Sequence, residues 1–460
     1  MQQFIDQMNT GKVAPEVRLS ALRGYLESPE GKTAFPDANE DANINLRTIY
    51  SFSPYTPTMA AFMAKRQGLK VVGCADTYSV TGVPEMRSAC EALRIGYVNG
   101  MELFVNFFDT PFKDKILNTS FSPGIVRMQI SAIPSANLPK LRDFLIPIIE
   151  SRHNRNRAMV ENLNTFLENT GKDIMDPISY EKDILPLSKI SEGGFVSQRH
   201  IICSLAIRLC EKYPNPDDLV FALKDDFQIN ITQEQNDRIQ APENPHLLHD
   251  LVDVLFEEFL PKIFVQPDDW ECISADMATD FVHSIGGIPS YVYWGKKNNC
   301  PFEDDYLDDL FLYLKELGFV SVMFDPYFLT AEQFHRISIL CKRHDFLPIV
   351  SHSVAGARES FSCPLFHRPE FSYLLDTIWA LAAHELLSSA NKGCGLFSTG
   401  DPLALMSLEE RVRIYSDIGR KLQPLGTLSL GEATRQLSKM QREYAEKLRN
   451  QIKGIDNGVV

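Results

Sequence analysis

The sequence predicts an α/β protein built on a β/α barrel that is interrupted once by a block of helices. Three observations carry this. From Asn45 onward, short apolar runs alternate with amphipathic segments, and repeated βα units imply a parallel sheet or barrel. Over 138–282 the alternation stops and nearly every stretch has helical periodicity. After that block the βα rhythm returns and runs to about His352.

The first 40 residues hold one helical stretch, APEVRLSALRGYLES, and a polar loop, ESPEGKTAFPDANEDAN, and read as a lead-in. NLRTIYSF then reads as strand, TPTMAAFMAKRQG as helix, LKVVGCAD as strand, VPEMRSACEALRIG as helix and YVNGMELFVNF as strand. The interrupting block contains LPKLRDFLIPIIESRHNRNRAMVENLNTFLENTG, VSQRHIICSLAIRLCEKY and HLLHDLVDVLFEEFLPKIF, all helical. The barrel resumes with the strand GGIPSYVYW, the helix DDYLDDLFLYLKELG, the strand GFVSVMFD, the helix TAEQFHRISILCKRHD and the strand FLPIVSHS. Further helices follow around FSYLLDTIWALAAHELLSS, SLEERVRIYSDIGRKL and GEATRQLSKMQREYAEKLRNQIK. The last carries Leu437, Met440, Tyr444 and Leu448 on one stripe, which points to docking on the domain. The expected organisation is therefore a lead-in over 1–40, a barrel in two pieces over 41–137 and 283–400, a helical insertion over 138–282 and C-terminal helices over 401–460. Strands are expected near 45–50, 70–75, 97–105, 287–293, 319–324 and 346–351, in one mostly parallel sheet with functional side chains at their C-terminal ends.

Composition narrows the function classes. With 460 residues, 44% hydrophobic and 23% charged, the chain is an ordinary globular protein large enough for one to three domains. Its start, MQQFIDQMNTGK, lacks the apolar region of a signal peptide, and no apolar run approaches the roughly 20 residues that span a bilayer. A cytoplasmic location without a membrane partner is the expectation. A net charge of −14 argues against a nucleic-acid surface. The densest basic run, SRHNRNR at 151–157, reads as the solvated face of a helix, with an anion contact through Arg152, His153 and Arg155 as the alternative. The nine cysteines are scattered without a C-x-x-C pair and read as reduced, mostly buried thiols. Nucleotide-cradle, zincin and serine-hydrolase motifs are absent.

The segments from Asn45 to about His352 resemble the PHP (polymerase and histidinol phosphatase) family, whose members are metal-dependent phosphoesterases on a distorted seven-stranded β/α barrel. The resemblance rests on the frame around the family's landmarks. NLRTIYSFS matches its first strand, but Arg47 and Ile49 stand where the family has H-x-H. GLKVVGCADTYSVTGVPE matches the T-D-H segment, with Asp76 at the Asp and Thr77 at the His. GMELF keeps the strand-end acid as Glu102. GIVRMQI has Met128 or Gln129 where the next His falls, and GGIPSY has Pro289 and Ser290 near the lost A-H-P. VSQRHI retains His200, and IVSHS retains His352 with Ser351 in place of the acid.

The resemblance implies a (β/α)7-type barrel from which most metal ligands are gone. Asp76, Glu102 and His352 would remain, short of the three or four well-supported ligands that hold an ion firmly. Neither a metal nor another cofactor is expected. An inward Arg47 would project into the space of the missing metals, within reach of Asp76 and Glu102, as an ionic plug. An outward Arg47 would mean nothing. Arg199 and His200, at the start of a helix with Ser197 as its cap, are candidates for the pocket or for the surface. His384, in WALAAHELL, reads as a satisfied core histidine. The expected function is a PHP-like barrel with metal-dependent phosphoester hydrolysis lost or strongly reduced. One alternative is a rearranged mononuclear phosphoesterase using Asp76, Glu102, His200 and His352. Another is a binding or scaffold protein holding a small anionic ligand against Arg47.

Overall fold

The computed structural model describes residues 2–33, 35–36, 39–120, 122–169, 176–295, 303–398, 401–422 and 425–456. The chain opens with helices α1 (Gln2–Met8) and α2 (Pro15–Glu27). The barrel then begins: β1 (Ala42–Leu46), α3 (Pro57–Arg66), β2 (Val71–Thr77), α4 (Val83–Leu93), β3 (Gly96–Asn106) and β4 (Ile125–Ser131). A helical stretch follows with α5 (Leu138–Asn169), α6 (Gln198–Lys212), α7 (Pro216–Phe221), α8 (Gln233–Gln240), α9 (Leu247–Ile263) and α10 (Ala275–Ser284). β5 (Ile288–Tyr293), α11 (Glu303–Glu316), β6 (Ser321–Phe324), α12 (Ala331–His344) and β7 (Leu347–Val350) complete the sheet. Three helices end the chain: α13 (Ser372–Ala390), α14 (Leu408–Lys421) and α15 (Leu430–Asp456).

The seven strands form one curled sheet in sequence order, β1 to β7. β1–β2–β3 and β5–β6–β7 are parallel, each linked by a crossover helix, while β4 runs antiparallel to both neighbours. The sheet is thus mostly parallel, with one reversed strand for which the apolar pattern gave no sign. Its two edges meet at a single bridge between Leu46 and Val354. There Arg47 N donates to Val354 O at 2.8 Å and Val354 N to Asn45 O at 3.1 Å. Ser351 Oγ strengthens this seam by donating to Asn43 Oδ1 and accepting from Ile44 N. The result is a curled, barrel-like sheet whose parallel strands point their C-terminal ends to one mouth.

Two apolar cores divide the chain. The larger lies in and around the sheet and takes in Val72, Val98, Leu103, Val322 and Ile349. The smaller joins α6 and α9 to the second half of α5 through Met159, Leu163, Leu205, Leu251 and Phe259. The first half of α5, with Leu141, Leu145 and Ile148, and α10, with Ala278 and Val282, pack instead with the sheet core. Both ends of the helical stretch are therefore rooted on the barrel.

The lead-in is structural as well. Arg18 on α2 is fully buried and grips Glu85 on α4 with Nε and Nη2 at 2.8 and 2.6 Å, while Thr58 Oγ1 donates to the same carboxylate at 2.7 Å. On α15 Leu437 is buried and Tyr444 packs on the core, although Met440 is exposed.

Candidate functional site

The mouth of the barrel is organised by the residue that follows β1. Arg47 leaves the strand with its backbone in the seam, and its side chain turns across the ends of β2 and β3. Nη1 donates to Ala75 O at 2.7 Å and to Thr77 Oγ1 at 2.5 Å, and Nη2 lies 2.7 Å from Glu102 Oε2. Thr77 and Glu102 are register partners, so their side chains share one face of the sheet. Thr77 Oγ1 also donates to Glu102 Oε1 at 3.4 Å. The ion pair is withdrawn from water, with side-chain exposures of 8% for Arg47 and 6% for Glu102. Burial pushes the Glu102 carboxyl up, but the guanidinium of Arg47 and then that of Arg127 outweigh it and hold the group below the usual carboxylate range.

Asp76 is one residue before Thr77 and so projects from the opposite face of β2. It accepts from Thr48 N and Thr48 Oγ1, both at 2.6 Å, and from Ser51 Oγ at 2.8 Å, tying down the turn after β1. Burial raises its carboxyl above the usual range, against those hydrogen bonds. Arg47 therefore pairs with Glu102 and makes no hydrogen bond to Asp76. Arg47 and Ile49 do not share a strand face. β1 ends at Leu46, Ser51 N closes a turn onto Thr48 O, and Ile49 Cδ1 lies against Gly11.

The remaining candidates are engaged separately. His352 Nδ1 is 2.8 Å from Asp325 Oδ2, which also accepts from Ser353 N at 3.1 Å, and its ring centroid is 4.3 Å from that of Tyr327. His200 completes a capping box at the start of α6, its Nδ1 accepting from Ser197 N at 3.0 Å. Its ring stands edge-on to Phe52, and burial lowers its pKa to about 3. Arg199 points away to Asp253 at 2.6 Å and lies over Phe256. His384 is held in the core, bridging Gly286 O and Leu396 N, as expected for a satisfied histidine.

The basic run at 151–157 requires a correction. Arg152 and Arg155 are buried, not solvated, and both clasp Glu271: Arg152 Nη1 at 2.6 Å, Arg155 Nε at 2.5 Å and Arg155 Nη2 at 2.7 Å. The planes of Phe195 and Tyr78 lie against the Arg152 guanidinium. His153 meets the Tyr180 hydroxyl, and of the basic residues Arg157 has the expected exposed character. Arg127, opposite Phe104 in the β3–β4 register, was also missed. Its guanidinium lies over Trp294 at 4.7 Å and Phe104 at 5.6 Å, with Nε 3.6 Å from Glu102.

This donor set does not fit a multinuclear metal centre. Among the described residues no group of three or more His, Cys, Asp or Glu side chains could hold an ion. Glu102 is neutralised by a guanidinium, Asp76 serves a turn on the other face, and His200 and His352 are committed to Ser197 and Asp325. A dication near Glu102 would also face the positive charges of Arg47 and Arg127.

No family model matches the chain, and no curated protein matches it. Solved structures with a similar course of the backbone include a protein from Bifidobacterium adolescentis provisionally described as a metal-dependent phosphoesterase. It is 18% identical, with 71% of this chain and 91% of that chain covered at a TM-score of 0.47. An amidohydrolase from Chromobacterium violaceum, solved with sulfate and without metal, is 16% identical, with 70% of this chain and 90% of that chain covered at a TM-score of 0.45.

Proposed function

We propose that this chain is a PHP-type (β/α)7 barrel in which an arginine–glutamate pair stands in the place of the metal centre. In this reading metal-dependent phosphoester hydrolysis has been given up, and the protein acts as a cytoplasmic binding protein for a small anion. One observation carries it. The Arg47 guanidinium is 2.7 Å from Glu102, both side chains are under a tenth exposed, and Thr77, at the position of the family's imidazole, serves the arginine. A fixed cation replaces the charge of an ion without offering a position where water could be activated.

The mononuclear alternative gains no support, because Asp76, Glu102, His200 and His352 each have a different partner. The test is metal content together with hydrolysis. Protein purified and then incubated with zinc or manganese should retain less than about one equivalent after desalting, since firm sites need three or four ligands. Hydrolysis of p-nitrophenyl phosphate should not rise with either metal. Two ions per chain, or metal-stimulated turnover, would overturn the proposal.

A further inference from the structure

A cavity lies between the rim of the barrel and the helices that arch over it, with a volume of about 180 Å³. Phe104 and Arg127 line it from the sheet, and Phe256, Leu260 and Phe264 from α9 and the residue after it. Arg152 and Arg155 on α5 line it too, together with their shared partner Glu271. Two features make this more than a packing defect. The walls are largely aromatic and aliphatic, so an occupant has an apolar body to bury. The charged groups are unbalanced, because two guanidiniums share Glu271 and two more, Arg47 and Arg127, share Glu102.

Hydrogen bonding shows where the anionic end belongs. Arg155 uses Nε, Nη1 and Nη2 on Glu271 and Val265 O, and Arg152 spends Nη1 and Nη2 on Glu271 and Gln198. Arg127 differs. Its nearest carboxylate oxygen is 3.6 Å away, too far for a hydrogen bond, and its Nε is buried with no hydrogen-bond partner among the described residues. The Nε of Arg152, whose side chain is 6% exposed, also has no partner there. The guanidinium lies over Trp294 and Phe104 with its Nε turned to Glu102, and among the described residues no hydrogen bond holds its Nη1–Nη2 edge, whose two parallel N–H donors match a planar carboxylate.

We propose that this cavity binds a small aromatic carboxylate, its carboxylate paired with Arg127 and its ring packed against Phe256, Leu260 and Phe264. The volume falls below the roughly 300–1,000 Å³ of sites for drug-sized ligands, which restricts the occupant to about one ring and its acid group. The site is separate from the metal question, since Arg127 touches the mouth only through Glu102.

The test is calorimetric titration of the full chain with benzoate, in EDTA, against benzamide and inorganic phosphate as controls. Saturable benzoate binding with a Kd between roughly 1 μM and 1 mM is expected, with benzamide at least about 10-fold weaker and phosphate weaker still. Arg127→Leu should weaken benzoate by about 10-fold or more, and Arg127→Lys by less. Circular dichroism would verify that each variant is folded, and the benzamide comparison on the unmodified protein stands even if one is not. No saturation by roughly 10 mM benzoate, equal binding of benzamide, tighter binding of phosphate or an unaffected folded Arg127→Leu protein would each overturn the assignment. Failure of the metal proposal would leave this result untouched, because the titration is run without free metal.

Discussion

Removing the Arg47 side chain should destabilise the protein by about 3 kcal/mol at neutral pH. Arg47→Ala deletes donors to Ala75 O and Thr77 Oγ1 and the 2.7 Å contact to Glu102, leaving that carboxylate buried. Breaking a buried pair from one side costs about 3–5 kcal/mol. The low end applies because Arg127 remains 3.6 Å away and Thr77 can still donate. The pH dependence gives a second, independent reading. In the intact protein Glu102 lies below its usual range, so its contribution is present above the unfolded carboxylate pKa and is lost as pH falls through the folded value. Without Arg47, burial is left to push the carboxyl up, so the deficit should be largest at neutral pH and shrink toward about pH 4, where the carboxyl is protonated. Urea unfolding of both proteins across this range is the assay. The paired apolar replacement Arg47→Met with Glu102→Leu, which leaves only the quarter-exposed Arg127 without its carboxylate, should recover most of the loss. A deficit under about 0.5 kcal/mol at neutral pH, within the range of ordinary surface substitutions, would refute the idea that this pair holds the mouth.

Three further outcomes follow from the same geometry. Glu271→Gln strands Arg152 and Arg155 in an apolar wall and should cost at least about 3 kcal/mol in chemical denaturation, far more than a change on a solvated helix face. Glu303 accepts from Tyr291 Oη, Trp294 N and Gly295 N, yet burial raises its pKa to about 7, so its stabilising contribution is complete below the unfolded value and is lost as pH rises through 7. Glu303→Gln should flatten that slope, worth at most about 3 kcal/mol, in melting curves taken between pH 4.5 and 8. Arg47→His with Ile49→His should hold less than about one equivalent of zinc by elemental analysis, because Ile49 is turned toward Gly11 and the new imidazoles would not converge.

The frame of this fold was legible because its signals are local. Apolar runs and amphipathic helices of the right length mark the βα units wherever they occur, and Ser197 marked the start of α6. The direction of β4 was not, since a buried strand reads the same in either sense and only its partners decide it. The site divides along the same line. The inward course of Arg47 was one of two readings of the alternation, but Ile49 departed from it because the strand ends three residues earlier. Arg152 and Arg155 were read by composition, although they continue the stripe of Leu141, Leu145, Ile148, Met159 and Leu163 along the buried side of α5. That periodicity was available. Their partner was not, for Glu271 is 119 positions beyond Arg152 and carries no mark of its own.

The seam where the two edges of the sheet meet bears on how the chain reaches its final form. Asn43 and Ser351, which hydrogen-bond across it, are 308 positions apart. During synthesis β1 can pair with β2 as soon as that strand emerges, but its other edge stays open until Ser351, 308 positions beyond Asn43, has been made. An unpaired apolar strand edge is a template for wrong association, and contacts of such separation form slowly. The helices between β4 and β5 have an apolar core of their own and can collapse during that wait. Chains cut short before Val354 should therefore keep a folded helical portion and still aggregate through β1, whereas those extending past it join the two edges of the curled sheet.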